Sequence, residues 1–186
     1  MNWYLQTERM KFRKIGDDDR LNIFDLDSDP EVMRFLTNGQ PSKMSDVQTA
    51  LEKTAQLFKK YKGRFGFWAS IEKSTGEFMG WVHFRLGKID PDNTSRIELG
   101  YRFKKNFWGK GYATEGARAF VDHGFNQLQV VEVFAQTMKR NIASQNVMKK
   151  IGMTFSREFI DSAYAGTMEL DVEYTLTREN WNRLNK

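Results

Sequence analysis

The chain has 186 residues, no cysteine and two histidines, His83 and His123. The lack of cysteine excludes a disulfide scaffold, a thiolate metal site and a cysteine nucleophile, and two histidines argue against a histidine-rich metal centre, so no metal is expected. A net charge of +5 suits anionic ligands but falls short of a dedicated nucleic-acid surface. Hydrophobic residues make up 40% and aromatics 14%, enough to bury a core, and the length suits one domain over 1–186. Glu8 and Arg9 bring charge early and no apolar stretch follows, so no signal peptide is expected. No run approaches the roughly 18 apolar residues of a membrane-spanning helix. A cytoplasmic protein without a membrane partner is the expectation.

In chain order, 7–14 predicts a strand. Asp29-Pro30 opens a short helix, with Val32, Met33 and Leu36 on one face. Ser45 and Gln48 have capping-box spacing, and Val47, Leu51, Thr54, Ala55, Phe58 and Tyr61 then recur at helical spacing up to Gly63. Segments 65–71 and 78–86 predict strands joined by a turn at 74–76. Phe78, Val82, Phe84 and Leu86 form one face of the second strand. Met79, Trp81, His83 and Arg85 form the other, which can line a cleft. A turn at 90–93 leads to a strand over 96–103. Then come a helix over 111–125, a Val-rich strand over 128–136 and a helix over 141–151 closed by Gly152. Strands over 153–160 and 168–176 form a last pair, and 178–184 a terminal helical turn. This order predicts an α/β (α+β) domain around one mixed central sheet with flanking helices.

The segment from Asn106 to Glu115 carries the chemistry. Gly109 and Gly111 allow a tight turn and a close approach of backbone to ligand. The helix that follows offers unpaired N–H groups and a positive dipole end, which favour a phosphate. Lys110 adds charge. The spacing is not that of a Walker loop.

Ile97-Glu98-Leu99-Gly100-Tyr101 and then Trp108-Gly109-Lys110-Gly111-Tyr112-Ala113-Thr114-Glu115 resemble the acetyl-CoA loop of the GNAT superfamily of N-acetyltransferases. A second block is similar to that family's Asn-x-x-Ser…Lys-x-Gly-Phe pattern: Asn141, Ser144, Val147, Lys150, Ile151, Gly152 and Met153. The start (Ser28-Asp29-Pro30-Glu31-Val32-Met33) and the end (Asp171, Tyr174, Leu176, Trp181) look like the ribosomal-protein N-terminal, or Rim-type, acetyltransferases. Three positions depart from the pattern. Asn106 stands where Gln or Arg is frequent, Met148 where some relatives carry a thiolate-protonating Tyr, and Met153 where Phe is frequent.

The resemblance implies two splayed parallel strands, 96–103 and 128–136, with acetyl-CoA between them. It implies pantetheine pairing with the strand edge at Tyr101 and Phe103. The pyrophosphate is expected on the N–H groups of Trp108, Gly109, Lys110, Gly111, Tyr112 and Ala113, with Thr114 and Lys150 adding a hydroxyl and an ammonium. Asn141 is expected as an N-cap that also reaches the pantetheine. The chemistry implied is direct acetyl transfer from thioester to a primary amine, on a protein N-terminus or a small molecule. Glu98 is the candidate general base, directly or through water, and Ser144 the candidate donor to the leaving thiolate. A main-chain N–H near Leu99 or Gly100 is the candidate oxyanion donor.

Other readings stand beside these. Glu98 can equally be a strand residue paired with Arg96 or Arg102. His83 on a strand is read first as structural, and His123 as a solvated helix residue. Phe67, Trp68 and Trp81 are candidates for an acceptor pocket, with Met33 and Phe35 as its other wall. A non-catalytic acyl-CoA-binding module is the alternative function. A ribosome or nucleic-acid surface would rest on Lys59, Lys60, Lys62 and Arg64 alone, a run that reads first as a solvated face. Acceptor specificity is expected from the first two helices and the loop 161–167. Either a monomer or a homodimer fits.

Overall fold

Parallel neighbours in a sheet need a crossover between them, and antiparallel ones only a turn. In the computed structural model, which describes residues 3–37, 39–160 and 170–185, one such crossover organises the chain. The strands are β1 (Leu5–Gln6), β2 (Met10–Lys14), β3 (Gly66–Glu72), β4 (Phe78–Leu86), β5 (Arg96–Phe103), β6 (Glu132–Met138), β7 (Thr154–Ile160) and β8 (Leu170–Thr177). They form one sheet in the order β1-β2-β3-β4-β5-β6-β8-β7. Every pairing is antiparallel except β5 with β6. The helices are α1 (Arg20–Ser28), α2 (Pro30–Met33), α3 (Met44–Lys60), α4 (Tyr112–Gln127), α5 (Ile142–Lys150) and α6 (Arg178–Leu184), with α4 as the crossover.

Alternation along the strands divides the sheet into two unlike faces. Phe12, Trp68, Val82, Phe84 and Leu99 are buried with Ala117, Phe120 and Val121 of α4. Gly124 lets this helix sit close, because a Cβ there would lie 2.5 Å from the Phe84 ring. The other face carries Trp81, His83 and Arg85 of β4 opposite Arg102, Gly100 and Glu98 of β5.

The parallel pairing of β5 and β6 is short. Only Arg96, Ile97 and Glu98 find partners, in Glu132, Val133 and Phe134. Beyond Glu98, β5 stays with β4 as far as Phe103, while β6 stays with β8 as far as Met138. The two strands part there, which is the splay the resemblance implies.

Several elements differ from the sequence reading. The strand expected over 128–136 begins at Glu132. Leu128 and Val130 both donate backbone N–H to the Gly124 carbonyl, and Gln129 has φ 57, so this stretch closes α4. Val130 is apolar because it is fully buried, not because it lies in a strand. The helix opened by Asp29 lasts one turn, although the Asp29 carboxylate accepts from the Glu31 N–H (2.9 Å) as expected. Helix α3 starts before Ser45, and its cap is formed by Asp46 accepting from the Lys43 N–H (2.9 Å). Helix α1 was not expected; it buries Ile23, Leu26 and Asp27, too few apolar positions to set a period. The loop 161–167 and the first residues of the strand expected from 168 lie outside the described residues.

Candidate active site

The loop between β5 and α4 is built by two left-handed glycines, Gly109 (φ 73) and Gly111 (φ 82). A side chain at either would strain the backbone. Gly111 caps α4 with no side-chain partner. Among the described residues, the backbone N–H groups of 109–114 find no acceptor. That is a run of free donors at a positive helix end, which suits a pyrophosphate. Trp108 is exposed, and its indole N–H donates to the Phe103 carbonyl (2.7 Å).

The loop is held from behind. Arg9 donates through Nε to Glu115 (2.6 Å) and through Nη1 to the Lys110 carbonyl (2.9 Å), and its guanidinium covers the Tyr112 ring. The backbone N–H of Arg9 reaches Glu115 as well (2.9 Å). The Tyr112 hydroxyl donates to Glu72 (2.6 Å), so its side chain points away from the donor run and only its N–H faces it. Sequence reasoning missed Arg9, which lies about a hundred residues away in the chain and gives no local signal.

Lys150 sits in the last turn of α5, exposed, and its carbonyl accepts from Arg118 (2.7 Å). Arg118 follows Thr114 by four residues on α4, so it belongs to the same helix face. Arg118, Lys149 and Lys150 line one depression with Asp122 and Trp181. The i, i+4 spacing from Thr114 was the available signal for Arg118.

At the splay itself, Asn141 caps α5 by accepting from the Ser144 N–H (3.2 Å), and its amide donates to Thr137 (3.0 Å). Tyr101 of β5 donates to the Ser144 carbonyl (3.1 Å) and lies 3.2 Å from the Ser144 hydroxyl. Burial pushes the Tyr101 phenol above its usual pKa, so it keeps its proton at neutral pH. Met148, where a Tyr is missing, is buried in the core.

On the opposite face, Glu98 pairs with Arg85, with oxygens at 3.0 and 3.2 Å from Nη2, and not with Arg96 or Arg102. Arg96 pairs with Glu132 (2.6 Å) and Glu173 (2.9 Å), and Arg102 with Asp27 (2.5 Å). Burial would raise the Glu98 pKa, but His83 and Arg85 outweigh it and hold the carboxyl well below its usual range. Phe67 and Trp81 flank His83 at 5.1 and 5.7 Å between ring centres. Trp68 is fully buried in the core on the other face and does not belong to this wall. Phe35 lies under the Arg140 guanidinium (5.7 Å). His123 is not solvated as expected: it contacts the Tyr4 hydroxyl (3.0 Å) and ring.

A splayed parallel strand pair, a glycine-rich run of free donors and a polar face beside them suit an acyl-CoA-dependent transferase. Residues 9–154 match the acetyltransferase (GNAT) domain family, and the chain belongs to it. It is an N-acetyltransferase that uses acetyl-CoA. It is 36% identical to the FsC-acetyl coenzyme A-N(2)-transacetylase of Aspergillus fumigatus, over 98% of this chain and 79% of that protein. Its fold matches a GNAT-family acetyltransferase from Bacillus anthracis with a TM-score of 0.81 at 22% identity, covering 94% of this chain and 98% of that one. It also matches the RimL ribosomal L7/L12 alpha-N-protein acetyltransferase in complex with coenzyme A, with a TM-score of 0.77 at 14% identity, covering 92% and 95%.

Proposed function

We propose that the acceptor is a primary α-amine, on a protein N-terminus or a small molecule, acetylated at the splay of β5 and β6 by one domain. The observation that carries this reading is the charge balance of the acceptor face. Its carboxylates are already engaged by arginines: Glu98 by Arg85, Asp27 by Arg102, and Glu173 by Arg96 and Arg157. Among the described residues, a polyamine or an aminoglycoside, with several ammonium groups, would find little free negative charge there. The buried Nε–H groups of Arg85 and Arg102 have no partner among the described residues, and they suit a carbonyl or carboxylate oxygen beside an α-amine. An α-amine has a pKa of about 8, so a neutral fraction is present at pH 7 and a modest base suffices.

In this reading the free N–H groups of Gly109, Lys110, Gly111, Tyr112, Ala113 and Thr114 hold the pyrophosphate beside Trp108, with Lys150 and Arg118 nearby. The unpaired edge of β5 around Tyr101 and Phe103, together with Asn141, holds the pantetheine. Glu98 meets the amine, and Ser144 hands a proton to the departing thiolate with Tyr101 behind it. The Rim-like start and end of the chain support a protein N-terminus. The name of the Aspergillus relative supports an N(2) nitrogen of a small molecule.

The test is thiol release from acetyl-CoA with trialanine, alanine amide, spermidine and kanamycin as acceptors. Turnover is expected with one or both α-amines, and not with spermidine or kanamycin. The reverse pattern contradicts the reading.

A further inference from the structure

Beside Glu98 lies a buried imidazole with no role so far. His83 is 8% exposed, and its cross-strand neighbour is Gly100. A Cβ at position 100 would come 2.5 Å from the ring's Cε1 and Nε2, so the ring lies directly on the β5 backbone, two residues beyond the last β5–β6 pair. Trp81 and Phe67 enclose it on the acceptor face. Neither ring nitrogen makes a hydrogen bond of normal geometry among the described residues, while Glu98 Oε1 stands 3.5 Å from Nε2. Unpaired buried nitrogens are costly, and a phenyl ring would fill the same space without that cost. Packing alone therefore does not explain a histidine here.

We propose that Glu98 and His83 act as one proton-accepting pair, Glu98 meeting the amine and His83 holding the proton that Glu98 receives. This rests on the reading of Glu98 as the group at the amine. Glu98 is pinned by Arg85, and a carboxylate so held is by itself a weak base. The imidazole behind it is a second base, 3.5 Å away. Burial foremost, then Arg85, lowers its pKa, and Glu98 opposes them, so His83 is neutral at pH 7 and free to accept. The charged groups facing it are Arg85 from β4, Glu98 and Arg102 from β5, and Asp27 of α1 through its pair with Arg102. From β3 it meets Phe67. A proton on His83 makes an ion pair with ionised Glu98, which offsets part of the cost of burying the charge.

In the transfer, the amine lone pair forms the C–N bond to the acetyl carbonyl carbon, and the carbonyl π pair moves to oxygen. One N–H proton passes through Glu98 to His83. The oxygen pair then re-forms the carbonyl as the C–S bond breaks with its electron pair on sulfur. Ser144 gives its proton to that sulfur, and the proton held by His83 returns through solvent to restore the serine hydroxyl. Amide and free thiol leave, and the pair is again a carboxylate and a neutral imidazole. His83 acts through Glu98 and does not touch the amine.

The test uses the full chain with His83→Gln, His83→Phe and Glu98→Gln, assayed with acetyl-CoA and trialanine between about pH 5 and pH 9. Both His83 variants are expected to lower kcat by about 10²-fold, to leave KM for acetyl-CoA unchanged and to lose the acidic limb of the profile. In the free protein, imidazole NMR of the two histidines is expected to show the His83 titration moving to lower pH in Glu98→Gln, with a His123 variant for assignment. The NMR needs no change at His83, so it decides the matter even where those variants fail to fold. A His83 titration indifferent to Glu98→Gln overturns the proposal. So do His83 variants with the wild-type kcat and limb while Glu98→Gln is inactive, and that result leaves Glu98 as the base alone. Full activity of Glu98→Gln overturns the pair together with the reading of Glu98 on which it rests.

Discussion

The phenol of Tyr101 on β5 crosses the splay to Ser144 on α5, 3.1 Å from its carbonyl oxygen and 3.2 Å from its hydroxyl. The phenol proton can turn from the carbonyl to the serine Oγ, which leaves the serine hydroxyl free to donate to the thiolate, so the two hydroxyls can act as one chain. Ser144→Ala and Tyr101→Phe are each expected to lower kcat about tenfold, as loss of a proton donor to the thiolate does. The double variant is expected to be little worse than the poorer single one, because groups in one network are not additive. Steady-state kinetics of the three proteins check this, and multiplying losses would contradict a shared proton.

Gly100 owes its place to the His83 ring, not to a turn. Gly100→Ala forces a Cβ to within 2.5 Å of that ring, with strand backbone below it. The expected cost is about 1–3 kcal/mol, as for overpacking elsewhere. Urea unfolding measures it. His83→Ala combined with Gly100→Ala is expected to relieve the clash, so that the double variant is more stable than the sum of the two single losses.

Arg9 tethers the cofactor loop through Lys110 and Glu115. Its side chain is 40% exposed, so its worth lies in positioning more than in stability. Arg9→Ala is expected to raise KM for acetyl-CoA several-fold while kcat at saturation changes little, since preorganisation of the loop is what is lost. A fall in kcat with KM unchanged would contradict this.

Acid stability follows from the paired carboxylates. Glu98 is held down to about 2, against about 4.3 in an unfolded chain. Above the unfolded value both states are ionised and the stabilisation is fully present. As pH falls from about 4.3 towards 2 the unfolded chain binds the proton first, and the stabilisation is lost. Glu173, lowered by Arg157, Gln136 and Arg96 against the pull of burial, adds in the same direction. Urea midpoints between pH 5 and pH 2.5 are therefore expected to fall less steeply in Arg85→Met, where Glu98 keeps His83 but loses the second of the two groups that hold it down, than in the wild type. An unchanged slope would contradict this.

Much of this was legible in the sequence, and the misses have physical causes. The loop glycines and the Asn141 cap follow from local rules, because turn geometry and helix ends are written in neighbouring residues, while the splay was legible only through the family resemblance. The face Trp81–His83–Arg85 is likewise set by strand alternation. The partner of Glu98 was not legible. Arg85 faces it only because the segment 87–95 sets the register between β4 and β5, and no local pattern fixes that. Arg9 acts through tertiary contacts, and His83 gains its meaning from a glycine on the next strand. Val130 read as strand because burial and β-structure draw on the same residues.

The most direct measurement of the central claim is product analysis by mass spectrometry, with the intact chain, acetyl-CoA, trialanine and alanine amide. The expected result is acetylation at the α-nitrogen of at least one of them, with free coenzyme A released in equal amount. Tight binding of acetyl-CoA with no acetylated product from either α-amine would contradict it.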